Sequence, residues 1–257
     1  MKTRPLPLLT LLFTFHFSLF TETKPVFAQK SSKNPAAEGF NLAGSDARAV
    51  EIADEVMKTL GGRKAWDKTK IIQWNFFGNR KLTWNKWTGD VRVEGLKDGS
   101  VALVNINTGK GRYFKNGTEY TQPDSLAKYL PRAKSAWIND SYWLIMPYKL
   151  KDSGVTLKYL GEENTETGQP ADILQMTFEN VGDTPQNKYK VWVDKQTRLV
   201  SQWAHYRKAD DAKPIFTMPL KAYERHGDIL LSGERGPRKL TEIKVFDKLP
   251  DAVFTAL

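Results

Sequence analysis

The chain contains no cysteine in 257 residues. That excludes disulfides, thiol nucleophiles and zinc–thiolate sites, and with them the lipid-modified cysteine of a bacterial lipoprotein. Histidine is almost as scarce, with three in the chain. One of these, His16, falls in the leader. His205 and His226 lie in different segments and have no ligand-spaced partner. A metal or acid–base role is open to any histidine, but the missing second ligand favours a surface or half-buried side chain. No Gly-x-Ser-x-Gly elbow, phosphate loop or His-Glu-x-x-His helix occurs. Glu162-Glu163 and Asp210-Asp211 are adjacent carboxylates on polar turns. Paired carboxylates can hydrolyse glycosides, yet neighbours on a turn read as solvated. The expectation is a protein that is not an enzyme and carries no cofactor or metal.

Long apolar runs are also missing. The longest, Leu6 to Phe20, is too short to span a bilayer comfortably and is broken by proline. It follows Lys2 and Arg4 and precedes Val26-Phe27-Ala28, which gives residues 1–28 the three-part pattern of a cleavable signal peptide. The protein is therefore expected to be exported, in the periplasm or secreted, and not lipid-anchored. Removal of that segment takes away Lys2, Arg4, Lys24 and Glu22 and lowers the formal charge from +10 to +8. The remaining charge is basic but scattered among acidic residues. A nucleic-acid binder would show a denser stripe or a motif, so no nucleic-acid partner is expected. Weak attraction to an anionic membrane surface fits better.

What is present is one helix and many strands. Residues 29–45, rich in Ser, Asn, Pro, Gly and Ala, read as a flexible leader. From residue 46 to 60, Ala49, Ile52, Ala53, Val56, Met57 and Leu60 recur at helical spacing and give one apolar stripe. Ser45 or Asp46 is placed to cap its start, and Gly61-Gly62 stops it. The period then changes to two. Ile72, Trp74 and Phe76 fall on one face of the first strand, and the helix is expected to lead directly into that strand. Gly78-Asn79, Lys97-Asp98-Gly99 and Asn116-Gly117 are hairpin signals. About ten strands follow at regular spacing, which indicates a sandwich or barrel in a single domain, residues 46–257. The rhythm breaks between 123 and 147. A helix starts at Pro123-Asp124-Ser125, Pro131 is expected to kink it, and an irregular aromatic stretch ends at Pro147. Such a stretch serves either as a lid over the open side of a barrel or as permanent core.

The order of these elements resembles the periplasmic lipoprotein-sorting carriers of the LolA/LolB type. The likeness rests on the strand pair around Trp84, on Thr88-Gly89-Asp90-Val91-Arg92-Val93, and on the turn Lys115-Asn116-Gly117-Thr118. It continues through the late hairpin Val191-Trp192-Val193-Asp194-Lys195-Gln196-Thr197-Arg198-Leu199-Val200 and the ending Leu249-Pro250…Phe254. An uncharacterised group of secreted bacterial proteins in the same superfamily also shares counterparts of Trp143–Leu150 and Gly182-Asp183-Thr184-Pro185. The resemblance implies an α+β fold: an incomplete antiparallel β-barrel wrapped around the N-terminal helix and a lid-like helical segment, enclosing a hydrophobic cavity. In the carriers an arginine near the cavity helps hold the closed form; Arg92 or Arg80 would be its counterpart.

All eight tryptophans lie beyond residue 28. Aromatic residues of this kind either fill a core or line a cavity. The cavity-lining candidates are Ile72, Trp74, Phe76, Trp84, Arg92, Leu103, Phe114, Trp143 and Trp192. The expected function is binding or carriage of a lipophilic ligand, such as an acyl chain, a lipid or a lipoprotein anchor. The expected state is a monomer making transient membrane or envelope-protein contacts. The alternative is an envelope scaffold of the same fold, with a filled core, that binds another envelope protein through its surface.

Overall fold

A computed structural model describes residues 33–257. Residues 1–28, expected as a signal peptide, and residues 29–32 of the expected leader lie outside the described residues. Among the described residues no helix is long and apolar enough to cross a membrane.

The first helix, α1 (Ala47–Thr59), buries Ala49, Ile52, Ala53, Val56 and Met57 along its apolar stripe. Gly61 and Gly62 end it with φ of +118° and +87°, a region open to glycine and costly to other residues. A side chain at Gly61 would also collide with the carbonyl oxygen of Asp228. The start of α1 departs from the expected cap. Asp46 makes no side-chain bond to the helix. Its carboxylate accepts from Lys158 Nζ at 2.9 Å and from the Tyr159 amide at 3.0 Å. Ser45 Oγ accepts from the Leu157 amide at 3.0 Å. Both residues serve strand β7 (Val155–Asn164) instead, and the reason lies in its position. It is the edge strand of its sheet, and an unpaired edge needs partners. The segment read as a flexible leader supplies them where it is described. The Asn41 amide donates to Val155 O at 3.0 Å and the Asp46 amide to Leu157 O at 2.9 Å. A second short helix, α2 (Arg63–Lys68), then intervenes before the first strand, so α1 does not lead directly into it.

Among the described residues fourteen strands form two antiparallel sheets, and neither closes. The first strand is β1 (Ile71–Phe76), then β2 (Arg80–Asn85), β3 (Asp90–Gly95), β4 (Ser100–Asn105), β5 (Gly111–Lys115) and β6 (Thr118–Glu119). After the long helix come β7, β8 (Pro170–Phe178), β9 (Lys188–Asp194), β10 (Val200–Tyr206), β11 (Phe216–Pro219), β12 (Lys221–His226), β13 (Ile229–Arg235) and β14 (Arg238–Phe246). The larger sheet has the order β12-β13-β14-β1-β2-β3-β4-β5-β6, and the smaller β11-β10-β9-β8-β7. The first strand pairs with the last, β14, so the two ends of the domain meet in mid-sheet. The chain breaks between β11 and β12 after Pro219, which cannot donate to a ladder. The architecture is an α+β incomplete barrel whose inner faces carry the main core around α1 and the long helix.

That long helix, α3 (Pro123–Ile145), runs for 23 residues with Pro131 inside it. The expected irregular stretch is helical because it lies against aromatic partners throughout. Tyr129 stacks on Tyr113 at 4.1 Å, and Trp137 meets Trp84 edge-on at 5.1 Å. A short 3-10 turn, Met146–Lys149, follows. The fully buried Arg235 donates to Trp143 O in the last turn of α3. A cation there meets the negative end of the helix dipole. Burial still pulls its pKa down to about 10. A final helix, α4 (Ala252–Thr255), packs on the outside of β3 and β4.

Candidate functional site

The second half of α3 does not close onto the smaller sheet. Between them lies a cavity of about 750 Å³. Its wall on the helix side is Trp137, Ile138, Tyr142 and Trp143. Its wall on the sheet side is built from cross-strand rows. Tyr189 pairs with His205, and His205 with Phe216, so these three share one face across β9, β10 and β11. Trp203 sits in the adjacent inward row, opposite Val191. Phe178 at the end of β8 completes the wall, and the exposed loop through Gly182, Asp183 and Thr184 forms part of the rim.

The rings touch each other around the void. Tyr189 is 5.2 Å from Phe178, 5.1 Å from Trp203 and 5.3 Å from both Tyr142 and His205, measured between centroids. Trp143 lies 5.2 Å from Trp203, edge-on, and stacks on Phe216 at 5.1 Å. Flat rigid rings in mutual contact make a self-supporting wall. They fill irregular space less well than branched aliphatic side chains do.

The lining surface is mostly apolar, but the Lys149–Asp152 ion pair and several Ser and Asn side chains also border this space. The Tyr142 hydroxyl is fully buried and finds no hydrogen-bond partner among the described residues, as do His205 Nε2 and the indole N–H groups of Trp84, Trp137 and Trp203. Burial raises the Tyr142 pKa well above the ordinary value, with Tyr189 adding to the effect. Burial also pushes Tyr189 up to about 12. His205 is shifted the other way, below 6.5, first by burial and then by the nearby Arg207. All these shifts favour neutral forms. The site is a mainly aromatic box with unmet hydrogen-bonding capacity and a few charged groups, Lys149, Asp152 and Asp183, in its lining. Among the described residues no group of three His, Asp or Glu side chains could hold a metal.

The nine candidates divide by strand register. Ile72, Trp74, Phe76 and Trp84 all point inward; Ile72 pairs with Trp84 and Trp74 with Leu82. Trp84 and Trp143 line the cavity. Ile72 and Trp74 are fully buried core, and Phe76 borders a separate groove on the other side of Trp143. Arg92, Leu103, Phe114 and Trp192 are corrections, since each lies on an outer face. Arg92 pairs with Leu103 and Leu103 with Arg112, opposite to the inward row of Val93, Ala102 and Tyr113. Arg92 Nη1 donates to Ala256 O at 2.7 Å and so fastens the C-terminal segment from outside. Phe114 shares the outward face with Arg112, which lies over its ring. Trp192 packs with Ala171, Ile173 and Ala204 in a small outer cluster. These four were buried candidates by composition, but a period of two sends neighbours to opposite faces.

Of the two arginines singled out by resemblance, Arg80 is the one that faces inward. It pairs across the strands with Phe76. Its guanidinium grips Asp140 of α3 with two bonds, at 2.7 and 2.8 Å. Asp140 is wholly buried while the Arg80 side chain stays about one-third exposed, at 33%. Hydrogen bonding to Asp140 raises the Arg80 pKa against the cost of burial.

Tyr142, Phe178, Tyr189, Trp203, His205 and Phe216 were not among the candidates. A signal for part of the set was present: Tyr189-x-Val191-x-Val193 and Trp203-x-His205 alternate like inward faces. It gained meaning only when those strands were aligned in one sheet.

The architecture is thus an open β-barrel with an internal aromatic cavity under one helix. No family model matches the sequence, and no curated protein matches it. Among solved structures, the chain is similar to a DUF1329 family protein from Desulfovibrio piger ATCC 29098, with 13% identity and a TM-score of 0.43 over 80% of this chain and 96% of that one. It is also similar to the LolA superfamily protein NE2245 from Nitrosomonas europaea, with 9% identity and a TM-score of 0.40 over 79% and 97%. A third is the MucA/MucB complex of Pseudomonas aeruginosa, at 15% identity and a TM-score of 0.22, where this chain covers 60% of the other's length. What this chain binds is read from its own side chains.

Proposed function

We propose that this protein is an exported, non-catalytic binding or carrier protein that holds a lipophilic ligand in the cavity under α3. The observation that carries the reading is the aromatic void of about 750 Å³, in the size range of small-molecule pockets, roughly 300–1,000 Å³. Its walls are mainly apolar, so binding is driven by apolar burial, about 0.8 kcal/mol per methylene. An acyl chain, a lipid or the acyl anchor of a lipoprotein meets that requirement. Donors such as the Tyr142 hydroxyl would meet an ester or amide oxygen of the ligand. Rim polarity and the loop at 182–184 leave a route for entry.

A second reading, an envelope scaffold acting through its surface, draws on the same ring contacts: the walls hold each other without a guest. Native mass spectrometry of the protein purified gently from an envelope fraction separates the two. The expected result is a discrete added mass that disappears on delipidation and returns with added fatty acid or lipopeptide at one per chain. An apo mass that takes up neither would overturn the carrier reading in favour of the scaffold.

A further inference from the structure

The cavity has a neighbour of opposite character. Successive hairpins of an antiparallel meander alternate ends, so the turns β1–β2, β3–β4 and β13–β14 share one end of the larger sheet. Together with Asn139 and Trp143 of α3 they bound a groove of about 690 Å³. Its floor is aromatic, formed by Phe76, Phe77 and Trp143, and its rim holds Lys97, Arg238 and Lys239. No carboxylate lines it. Lys239 is paired with Glu234 at 3.1 Å, whereas Lys97 and Arg238 have no carboxylate partner among the described residues. Arg238 rests over the Phe77 ring at 5.6 Å. Phe77 itself is held at φ +54°, a strained setting for a bulky residue and one that tends to occur at binding sites.

Trp143 is the wall between the two spaces. One side of the ring meets Phe77 edge-on at 5.3 Å, and the other contacts Trp203 and Phe216 in the cavity. Asn139 borders both spaces as well. A mainly aromatic void therefore adjoins a cationic groove, and the two share Asn139 and Trp143 as their boundary.

We propose that the groove is the headgroup subsite of the cavity and that the ligand is an anionic amphiphile. Its oxyanion head sits among Lys97, Arg238 and Lys239, and its chain passes Trp143 into the space below α3. This rests on the carrier reading and adds the charge of the ligand to it. The shape of the ligand follows from the division of labour. Apolar burial supplies affinity, while two unpaired cations discriminate between heads.

The test compares two amphiphiles with the same chain, dodecyl phosphate and dodecylphosphocholine, titrated into the protein by isothermal calorimetry below their micelle concentrations. Dodecyl phosphate should bind at least about tenfold more tightly, a preference that shrinks with added salt. In the double variant Lys97→Glu, Arg238→Glu the ratio of the two affinities should fall to about one or invert. Both residues are exposed, so the variant should fold, and its circular dichroism and melting curve check this. Equal affinities in the unaltered protein, or a preference that survives in the folded variant, would overturn the headgroup assignment while leaving the carrier reading standing. Binding of neither amphiphile would sink the carrier reading and this inference with it. Inorganic phosphate binding as tightly as dodecyl phosphate would make the groove a site for free anions and overturn the amphiphile.

Discussion

The two halves of α3 face the same kind of side chain and end differently. Along the first half, Tyr129, Leu130 and Ala133 meet Tyr113 and Ala102 of the larger sheet in a continuous core. The Tyr129 and Tyr113 rings lie parallel, at 6°. Along the second half, Tyr142 and Trp143 meet the rings of the smaller sheet mostly at steep or tilted angles, and a void remains. The first interface pairs each ring with a small or flat partner; the second sets large ring against large ring. Packed interiors tolerate few gaps wider than a water molecule, so a void of this size marks a place where filling was not the constraint. One ion pair, Arg80 with Asp140, ties the second half to the larger sheet.

Breaking that ion pair should have a large effect. Asp140→Ala strands Arg80 and should destabilise the fold by about 3 kcal/mol, at the lower end of the range for a broken buried pair, because Arg80 is partly solvated. Urea unfolding of the two single variants and the double variant measures the coupling; a coupling near zero would mean α3 is held by its aromatic contacts alone. The filled and unfilled regions are compared next through Trp74→Ala and Trp143→Ala. Loss of Trp74 should cost about 3–5 kcal/mol and leave lipid uptake by the folded fraction unchanged. Loss of Trp143 should cut uptake more than stability. If the two variants behave alike, the distinction between core and cavity wall fails. A smaller effect is expected from Val181→Trp at the cavity margin. It should slow uptake of a fluorescent fatty acid with a stability change within about 1 kcal/mol, as for a substitution outside the packed core. Unaltered kinetics would place the entrance elsewhere.

The smallest effect concerns pH. His205 titrates below 6.5 in the folded protein because it is buried and near Arg207. As pH falls through 6.5, the unfolded chain takes up its proton first. Stability therefore rises with pH from the lowered value up to 6.5 and is lost below it. His226 is shifted in the same direction by burial. Melting temperatures between pH 7 and pH 5 should fall, and His205→Gln should flatten part of that slope. An unchanged slope would mean that His205 remains accessible to water.

Much of the architecture was legible from periodicity. The stripe from Ala49 to Leu60, the stop at Gly61-Gly62 and the alternation in Ile72, Trp74 and Phe76 each depend on a residue's near neighbours, so sequence carries them directly. The misses were cases where a distant partner competed with a local one. Asp46 and Ser45 had a helix to cap and were taken by the edge of β7. The stretch after Pro131 read as irregular and is helical to Ile145, against rings from β2 and β8. The stretch at 37–46 had a loop's composition and became an edge cover.

The site shows the same division. Sequence could say that aromatic residues were plentiful and that the charge was basic and scattered. It could not say that Arg80 faces in and Arg92 out, because both are arginines on strands and only register separates them. It could not bring Tyr189, His205 and Phe216 into one row, since pairings between strands are set by the whole sheet. Sequence alone determined the helix stripe, the strand rhythm and the hairpin turns, all of which are short-range matters of spacing and backbone preference. The tertiary structure decided which faces meet, where α3 closes and where it leaves a void, because those follow from side-chain volumes brought together from across the chain.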